Sequence, residues 1–139
     1  MTYSELTLSF DVKPIAHQSM RIAKSGIKYT PKRILDYKKH IILLTLQQLP
    51  KDFEIIKAGT PICIEYLHYS FKYPTNFSKK LKEEPQPRTG RPDLLDNLNK
   101  ALMDALEGIV FEKDENIVEC RMLKKFYSHK DNISLKLIY

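Results

Sequence analysis

The sequence predicts an α+β fold, in which a mixed or antiparallel sheet of about four to five strands carries two main helices. Two observations support this prediction. Several segments alternate between apolar and polar residues, as half-buried strands do, and two others repeat apolar residues at helical spacing. No internal repeat interrupts the pattern over the 139 residues. We therefore expect one domain over residues 1–139, with a long basic loop at residues 72–92.

The first strand and the first helix are predicted from different periodicities. Residues 5–12 alternate between apolar and polar side chains, which is typical of a half-buried strand. Thr30 is a candidate N-cap, and Pro31 is a candidate first helical residue. Apolar residues then recur at helical spacing up to Pro50, so we expect a helix that ends near Gln48.

The second half of the chain predicts a central strand, a long loop and two further strands. Residues 61–71 are apolar on both sides, which favours a central position in the sheet. Residues 72–92 are rich in proline and lysine and show no apolar periodicity, as in loops that are functional or disordered. Residues 117–127 and 132–138 alternate as strands, and residues 128–131 would join them as a hairpin.

A second helix, predicted over residues 93–107, separates an apolar face from an acidic one. The apolar arc contains Leu94, Leu95, Leu98, Ala101, Leu102, Ala105 and Leu106. The opposite arc contains Asp93, Asp96, Asn97, Lys100, Asp104 and Glu107. The acidic arc has two interpretations. It is either a solvated surface, on which Asp93 is an N-cap and Asp96 a first-turn acid, or part of a metal site.

Charge is distributed unevenly along the chain, whose net charge is +6. Residues 21–39 hold seven basic residues and one acid, and residues 72–91 hold six basic residues and two acids. Residues 93–119 reverse the balance, with eight acids and two lysines. A basic surround and an acidic centre suit an enzyme that acts on a polyanion, although charge blocks are also common on solvated faces. The candidate phosphate-binding residues are Arg21, Lys24, Lys28, Lys32, Arg33, Lys79, Lys80, Lys82, Arg88 and Arg91.

The acidic face offers a ligand set for a hard divalent cation. Asp93 and Asp96 lie three residues apart and point the same way on a helix. A third carboxylate would come from the following turn, from Asp114 or alternatively from Glu115. Oxygen ligands of this kind suit Mg²⁺, for which Mn²⁺ can substitute. Lys100, one turn after Asp96, would stabilise charge on a phosphate. No histidine cluster, glycine-rich phosphate loop or acyl-transfer motif competes with this site.

Three segments resemble the RusA family of Holliday-junction resolvases: residues 91–100, 104–106 and 113–118. The resemblance implies a small homodimeric, Mg²⁺-dependent endonuclease that cuts four-way DNA junctions symmetrically, without an organic cofactor. Asp96 matches the second acid of the family motif, Lys100 its lysine and Asp114 its third acid. The chain departs from the motif at one point, because two residues separate Asp93 from Asp96 where the family usually has one.

Two other functions remain open: a branched-DNA-binding protein with a degenerate, non-catalytic site, and a nuclease that acts on other branched DNA. Cleavage assays on different DNA shapes would separate them. We expect a cytoplasmic protein, since no apolar run is long enough to cross a membrane and the N-terminus lacks a signal-peptide pattern.

Overall fold

The computed structural model describes residues 2–17 and 20–139, which form an α+β fold with two helices packed against a mixed sheet. The strands are β1 (Glu5–Phe10), β2 (Arg21–Ile22), β3 (Lys28–Tyr29), β4 (Ile62–Lys72), β5 (Gln86–Pro87), β6 (Ile117–Cys120), β7 (Leu123–Ser128) and β8 (Asn132–Ile138). The α-helices are α1 (Lys32–Gln48) and α2 (Asn99–Leu106). A π-helical turn over Leu94–Leu98 precedes α2, and short 3-10 turns span Leu81–Glu83 and Asp114–Asn116.

The main sheet has the strand order β1-β8-β4-β7-β5, and β6 pairs with the first part of β4. The β1–β8 and β4–β8 pairs are antiparallel, whereas β6 and β7 run parallel to β4. The predicted central position of the strand at 61–71 is therefore confirmed. The sheet has six strands among the described residues, slightly more than the four to five expected.

Both helices pack on one face of this sheet and on each other. Alternate residues of the strands, such as Phe10 and Leu135, are fully buried beneath them. Ile41 of α1 and Leu102 and Leu106 of α2 are also 0% exposed. Burial of large aliphatic side chains supplies the main stabilisation of such a layer. The predicted apolar face of the second helix is thus confirmed over α2.

The start of α1 differs from the prediction by one residue. Pro31 is the N-cap, and its carbonyl oxygen accepts the first backbone hydrogen bonds, from Ile34 at 3.0 Å and Leu35 at 3.3 Å. No side-chain cap is present, so the prediction that Thr30 caps this helix is wrong. The helix ends at Gln48, as expected.

The predicted hairpin at residues 128–131 is also wrong, because β4 lies between β7 and β8. The connection instead crosses the end of β4 and binds it. Lys72 N–H donates to Asp131 Oδ1 at 2.8 Å, and Tyr73 N–H donates to the Ser128 carbonyl oxygen at 2.9 Å. The Ser70 hydroxyl donates to the Lys130 carbonyl oxygen at 2.7 Å.

The alternation of buried and exposed side chains along β4 shifts by one residue at an irregularity between Ile64 and Tyr66. Ile64 and Leu67 both point into the core, and Tyr66 is only half-buried. A one-residue bulge moves every later side chain to the opposite face. Strict alternation over residues 61–71 predicts that Tyr66 lies on the same face as Ile62 and Ile64, and this prediction is wrong because of the bulge.

The loop between β4 and the π-helical turn has local structure. Besides its 3-10 turn and β5, it contains a hydrogen bond from Gln86 Nε2 to the Leu81 carbonyl oxygen at 2.9 Å. β5 pairs with β7, which ties the loop to the sheet edge. Among the described residues, no helix is long and apolar enough to span a membrane.

The end of α2 generates a testable prediction. Gly108 follows the C-cap Glu107 with φ of 88°, a conformation that side chains with a Cβ rarely adopt. We expect Gly108→Ala to lower the free energy of unfolding by about 1 kcal/mol, measured by chemical denaturation. Gly90→Ala is the matched control, since Gly90 lacks a positive φ and no atom lies within 4 Å of an added Cβ. Equal losses in both variants would contradict the prediction.

Candidate metal centre and nucleic-acid interface

Asp93 caps the helical segment that carries the acidic face. Its Oδ2 accepts hydrogen bonds from the backbone N–H groups of Asp96, at 3.2 Å, and Asn97, at 3.3 Å. Its Oδ1 accepts one from Asn97 Nδ2 at 2.6 Å. The backbone N–H of Asn97, helped by that of Asp96 and by the Asn97 amide, holds the pKa of Asp93 below its ordinary value. The resulting stabilisation is complete above the ordinary carboxyl pKa and is lost as the pH falls through the lowered one.

A π-helical turn follows this cap and accommodates the extra residue between Asp93 and Asp96. Leu98 N–H donates to the Asp93 carbonyl oxygen at 3.2 Å, which spans five residues instead of the usual four. The extra residue is displaced outward, so that Leu95 is 84% exposed while Leu98 is 0% exposed. The predictions of a continuous α-helix from Asp93 and of a buried Leu95 are therefore wrong. The wider turn nevertheless keeps Leu98 and α2 in register with the core.

Three carboxylates meet near the end of α2. Asp104, Glu107 and Asp114 each offer an oxygen within 4.8 Å of the other two. Asp104 and Glu107 are half-buried and Asp114 is exposed. Glu115, the alternative to Asp114, is not in this cluster. The sequence placed Asp104 and Glu107 on the acidic face, but it did not single them out as ligands.

The fold explains how Asp114 returns to α2. After Gly108, the chain turns so that Gly108 N–H donates to the Phe111 carbonyl oxygen at 2.8 Å. Phe111 is fully buried and pairs with Ile56, which anchors the returning segment. Asn116 is buried as well, and its Nδ2 donates to the Lys57 carbonyl oxygen at 2.7 Å. These contacts hold the 3-10 turn that carries Asp114.

The predicted metal ligands are not gathered into one cluster. Asp114 lies beside Asp104, and Asp96 precedes Asp104 by eight residues. The structure thus brings Asp114 together with Asp104 and Glu107, and among the described residues Asp93 and Asp96 belong to no such group.

The donor set of the acidic face fits a hard divalent cation. Crowded carboxylates repel one another unless a cation compensates them, and oxygen-only ligands suit Mg²⁺ or Mn²⁺. His17 is a neighbour of the cluster, with Nδ1 3.8 Å from Asp104 Oδ2. Lys100 lies one turn from both Asp96 and Asp104, is exposed, and forms no ion pair within residues 2–17 and 20–139.

A basic groove of about 750 Å³ borders the capped helix start. Its charged and polar lining is Lys13, His17, Arg33, Arg88, Arg91, Asp93 and Asn97. Of the predicted phosphate-binding residues, Arg33, Arg88 and Arg91 thus lie together. Arg21, Lys24 and Lys28 belong to the β2–β3 hairpin, Lys32 begins α1, and Lys79, Lys80 and Lys82 surround the loop's 3-10 turn. Lys13 and His17 also line the groove, and no motif in the sequence marks either residue.

Two cations clamp the backbone immediately before Asp93. Lys125 Nζ donates to the carbonyl oxygens of Gly90 and Pro92, at 2.6 Å each. Arg88 donates to the Arg91 carbonyl oxygen through Nε at 2.9 Å and Nη2 at 2.6 Å. Three consecutive carbonyl oxygens are therefore bound. We refer to these contacts as the carbonyl clamp.

Arg88 is also stacked against the sheet. Its guanidinium carbon lies 4.0 Å from the ring centroid of Phe71 and 5.2 Å from that of Tyr127. Stacking and hydrogen bonding together fix the orientation of a guanidinium. Arg88 thus has a packing role in addition to the phosphate contact predicted for it. Lys125 was not singled out in the sequence, because nothing local marks its long-range partners.

A comparison with protein families identifies the chain. The family described as Endodeoxyribonuclease RusA matches residues 11–138, which is nearly the whole sequence. The chain belongs to the RusA family. It is accordingly a DNA-binding endodeoxyribonuclease of a family of Holliday-junction resolvases, which function in DNA recombination. RusA nucleases depend on divalent metal ions and act on branched DNA. Among curated proteins, none matches this sequence.

The π-helical turn of this RusA-family chain yields a second prediction. We expect deletion of Leu95 to leave the thermal unfolding midpoint unchanged or higher, because it removes an exposed apolar side chain and restores α-helical spacing. Leu98→Ala is the control for a buried position and should lower the free energy of unfolding by about 2–5 kcal/mol. A Leu95 deletion as destabilising as Leu98→Ala would show that the turn is not an accommodated insertion.

The carbonyl clamp yields a third prediction. Lys125→Met retains the length of the stem but removes the charged donor, so we expect a loss of about 1.5–3 kcal/mol in the free energy of unfolding. The rate of DNA cleavage should fall as well, since the backbone that positions Asp93 is released. Lys124→Met is the matched control, because Lys124 is exposed and lies over the Phe126 ring at 5.4 Å. It should change stability by at most about 1 kcal/mol. Identical behaviour of the two variants would refute the clamp.

Proposed function

We propose that this chain is a Mg²⁺-dependent endonuclease that resolves four-way DNA junctions by paired, symmetric phosphodiester hydrolysis. The observation that carries the proposal is the acidic face of α2 beside the basic groove. The arginines and lysines would bind phosphates, and the carboxylates would hold the cation that acts on one of them. The junction would be selected mainly by its shape, since phosphate contacts carry no sequence information.

The metal ion would be held by Asp114 together with acids of the α2 face. Two groupings are supported by different arguments. The family motif favours Asp93, Asp96 and Asp114, whereas the geometry groups Asp114 with Asp104 and Glu107. When bound, such an ion polarises a phosphate oxygen and lowers the pKa of a coordinated water.

The protein's own side chains orient the DNA and stabilise charge. Arg33, Arg91 and Lys13 line the groove and would bind phosphates next to the scissile one. Lys100, free of ion pairs among the described residues, would donate to the negative charge that develops on the phosphate. Asn97 donates its amide to Asp93 and thereby keeps that carboxylate oriented.

We also propose that the nuclease is a homodimer, that residues 1–139 act as one domain and that it acts in the cytoplasm. Two symmetric cuts need two active sites, and one acidic face on each protomer of a two-fold dimer provides them. Sedimentation with and without junction DNA would measure the assembly directly.

The decisive assay is cleavage of a labelled synthetic four-way junction. We expect paired nicks at symmetric positions in Mg²⁺ and in Mn²⁺, none in the presence of chelator, and no cutting of a linear duplex of the same sequence. Tight binding without cutting in either ion would instead support a non-catalytic branched-DNA-binding protein. Faster cutting of flaps or mismatches than of the junction would indicate a different branched substrate.

Variants of single acids separate the two metal groupings. Asp114→Asn should abolish both cutting and the thermal stabilisation that Mg²⁺ produces, while it spares junction binding. Asp96→Asn should do the same if the helix start holds the ion, and Glu107→Gln should do so if the end of α2 holds it. Glu115→Gln is the matched control. If Glu115→Gln abolished cutting and Asp114→Asn did not, the assignment of Asp114 would be wrong.

Lys100→Met tests charge stabilisation independently of metal binding. We expect the cleavage rate to fall by about 100- to 1,000-fold, with unchanged stabilisation by Mg²⁺ and unchanged junction affinity. A normal cleavage rate would exclude this role.

A further inference from the structure

The β2–β3 hairpin projects into solvent from the N-terminal part of the chain. Arg21 pairs with Tyr29 and Ile22 with Lys28, and Ala23 N–H donates to the Ile27 carbonyl oxygen at 2.9 Å. All four residues of the two strands are exposed. The two strands form a sheet of their own, and a two-stranded hairpin by itself is only marginally stable in water.

Three apolar side chains on this arm are exposed to solvent. Ile22 is 68% exposed, Ile27 is 67% exposed and Tyr29 is 44% exposed. In the ladder, Ile22 shares a face with Lys28, whereas Tyr29 shares a face with Arg21. Each face therefore combines an apolar side chain with a cation. The arm can therefore offer apolar contacts and positive charge together to a partner that lies against either face.

The charge of the arm identifies the class of partner. Between Asp11 and Asp36 the sequence contains no acidic residue, while Arg21, Lys24 and Lys28 all lie on the arm. A second copy of the same arm would bring like charges together, which disfavours pairing of arms. The positive charge and the exposed apolar side chains together suit a polyanion that has accessible apolar faces. Nucleic acid with unstacked bases has that chemistry.

The arm is rooted beside the acidic face of α2. Met20 and Thr30, which flank the hairpin, line a cleft of about 220 Å³ together with His17 and Asp104. The backbone N–H of His17 donates to the Asn97 carbonyl oxygen at 2.9 Å. DNA held at the acidic face would therefore lie within reach of the hairpin.

We propose that the β2–β3 hairpin is a branch-point arm, in which Ile22 and Ile27 contact the faces of unstacked bases and the neighbouring cations bind the flanking phosphates. This proposal rests on the proposed function, because it assumes a branched DNA substrate. Base pairs at a junction centre are the easiest to unstack, so apolar contacts there favour branched over linear DNA. The arm would thus contribute to selection of the substrate shape.

The test uses the full chain with Ile22→Ser and Ile27→Ser combined, and a four-way junction that carries 2-aminopurine at the branch point. We expect wild-type protein to raise the 2-aminopurine fluorescence, and the double variant to lose this rise. We also expect its preference for junction over duplex to fall about tenfold. The slope of affinity against salt should stay unchanged, since no cation is removed.

The matched control is Val118→Ser combined with Met122→Ser, which removes two exposed apolar side chains from another part of the chain, 70% and 50% exposed. It should behave like wild type. A hairpin variant with wild-type fluorescence and preference would overturn the proposal. So would a hairpin variant that has only changed its oligomeric state, since the arm would then be a protein contact.

Failure of the branch-point arm and failure of the proposed function are distinguishable. Both hairpin readouts are binding measurements made in chelator, so they do not depend on cutting. Absence of cleavage together with a normal fluorescence rise would contradict the nuclease mechanism, and the proposed role of the arm would still be supported. Normal cleavage with no fluorescence rise would contradict the proposed role of the arm, and the nuclease mechanism would still be supported.

Discussion

The geometry of the candidate site depends on the hydrogen bonds of a single residue, Asp93. Its carboxylate caps the backbone of Asp96 and Asn97, and its carbonyl oxygen accepts the π-helical hydrogen bond from Leu98. The carbonyl clamp secures the chain immediately before it. A helix start held from both sides can absorb an inserted residue locally, because the five-residue hydrogen bond takes up the extra length of backbone.

If the acids at the end of α2 hold the metal ion, which is one of the two groupings proposed above, the arrangement separates two tasks that would otherwise conflict. Carboxylates that bind a cation repel the phosphates of DNA, and cations that bind phosphates weaken a nearby metal site. In this chain the groove cations lie at the helix start and the close carboxylates lie at the end of α2. Lys100 is the only lysine or arginine in residues 93–107, and it lies one turn from both Asp96 and Asp104.

Local periodicity predicted most of the fold, and long-range pairing accounts for what it missed. The buried face of α2 and the central position of β4 follow from the spacing of apolar residues, which a sequence displays directly. The separation of β7 from β8 by β4 does not, since a short polar connection is typical of a hairpin whether or not a third strand intervenes. The acidic face and the return of Asp114 to it were both predicted from the sequence, whereas the two acids that Asp114 meets, Asp104 and Glu107, were not singled out. The contacts of Lys125 span more than thirty residues, and no local signal marks them.

The insertion of β4 between β7 and β8 has a consequence for how the protein is made. β4 leaves the ribosome well before its antiparallel neighbour β8. β1 is synthesised earlier still and also pairs with β8, for example at Phe10 and Ile133, so it waits even longer for its partner strand. Pairings this distant in sequence are slow to form. The acidic helix is therefore synthesised before the sheet that supports it is complete. A nascent chain that has not yet reached β8 has no finished surface on which α2 can pack, so a competent nuclease appears only after β8 has been synthesised.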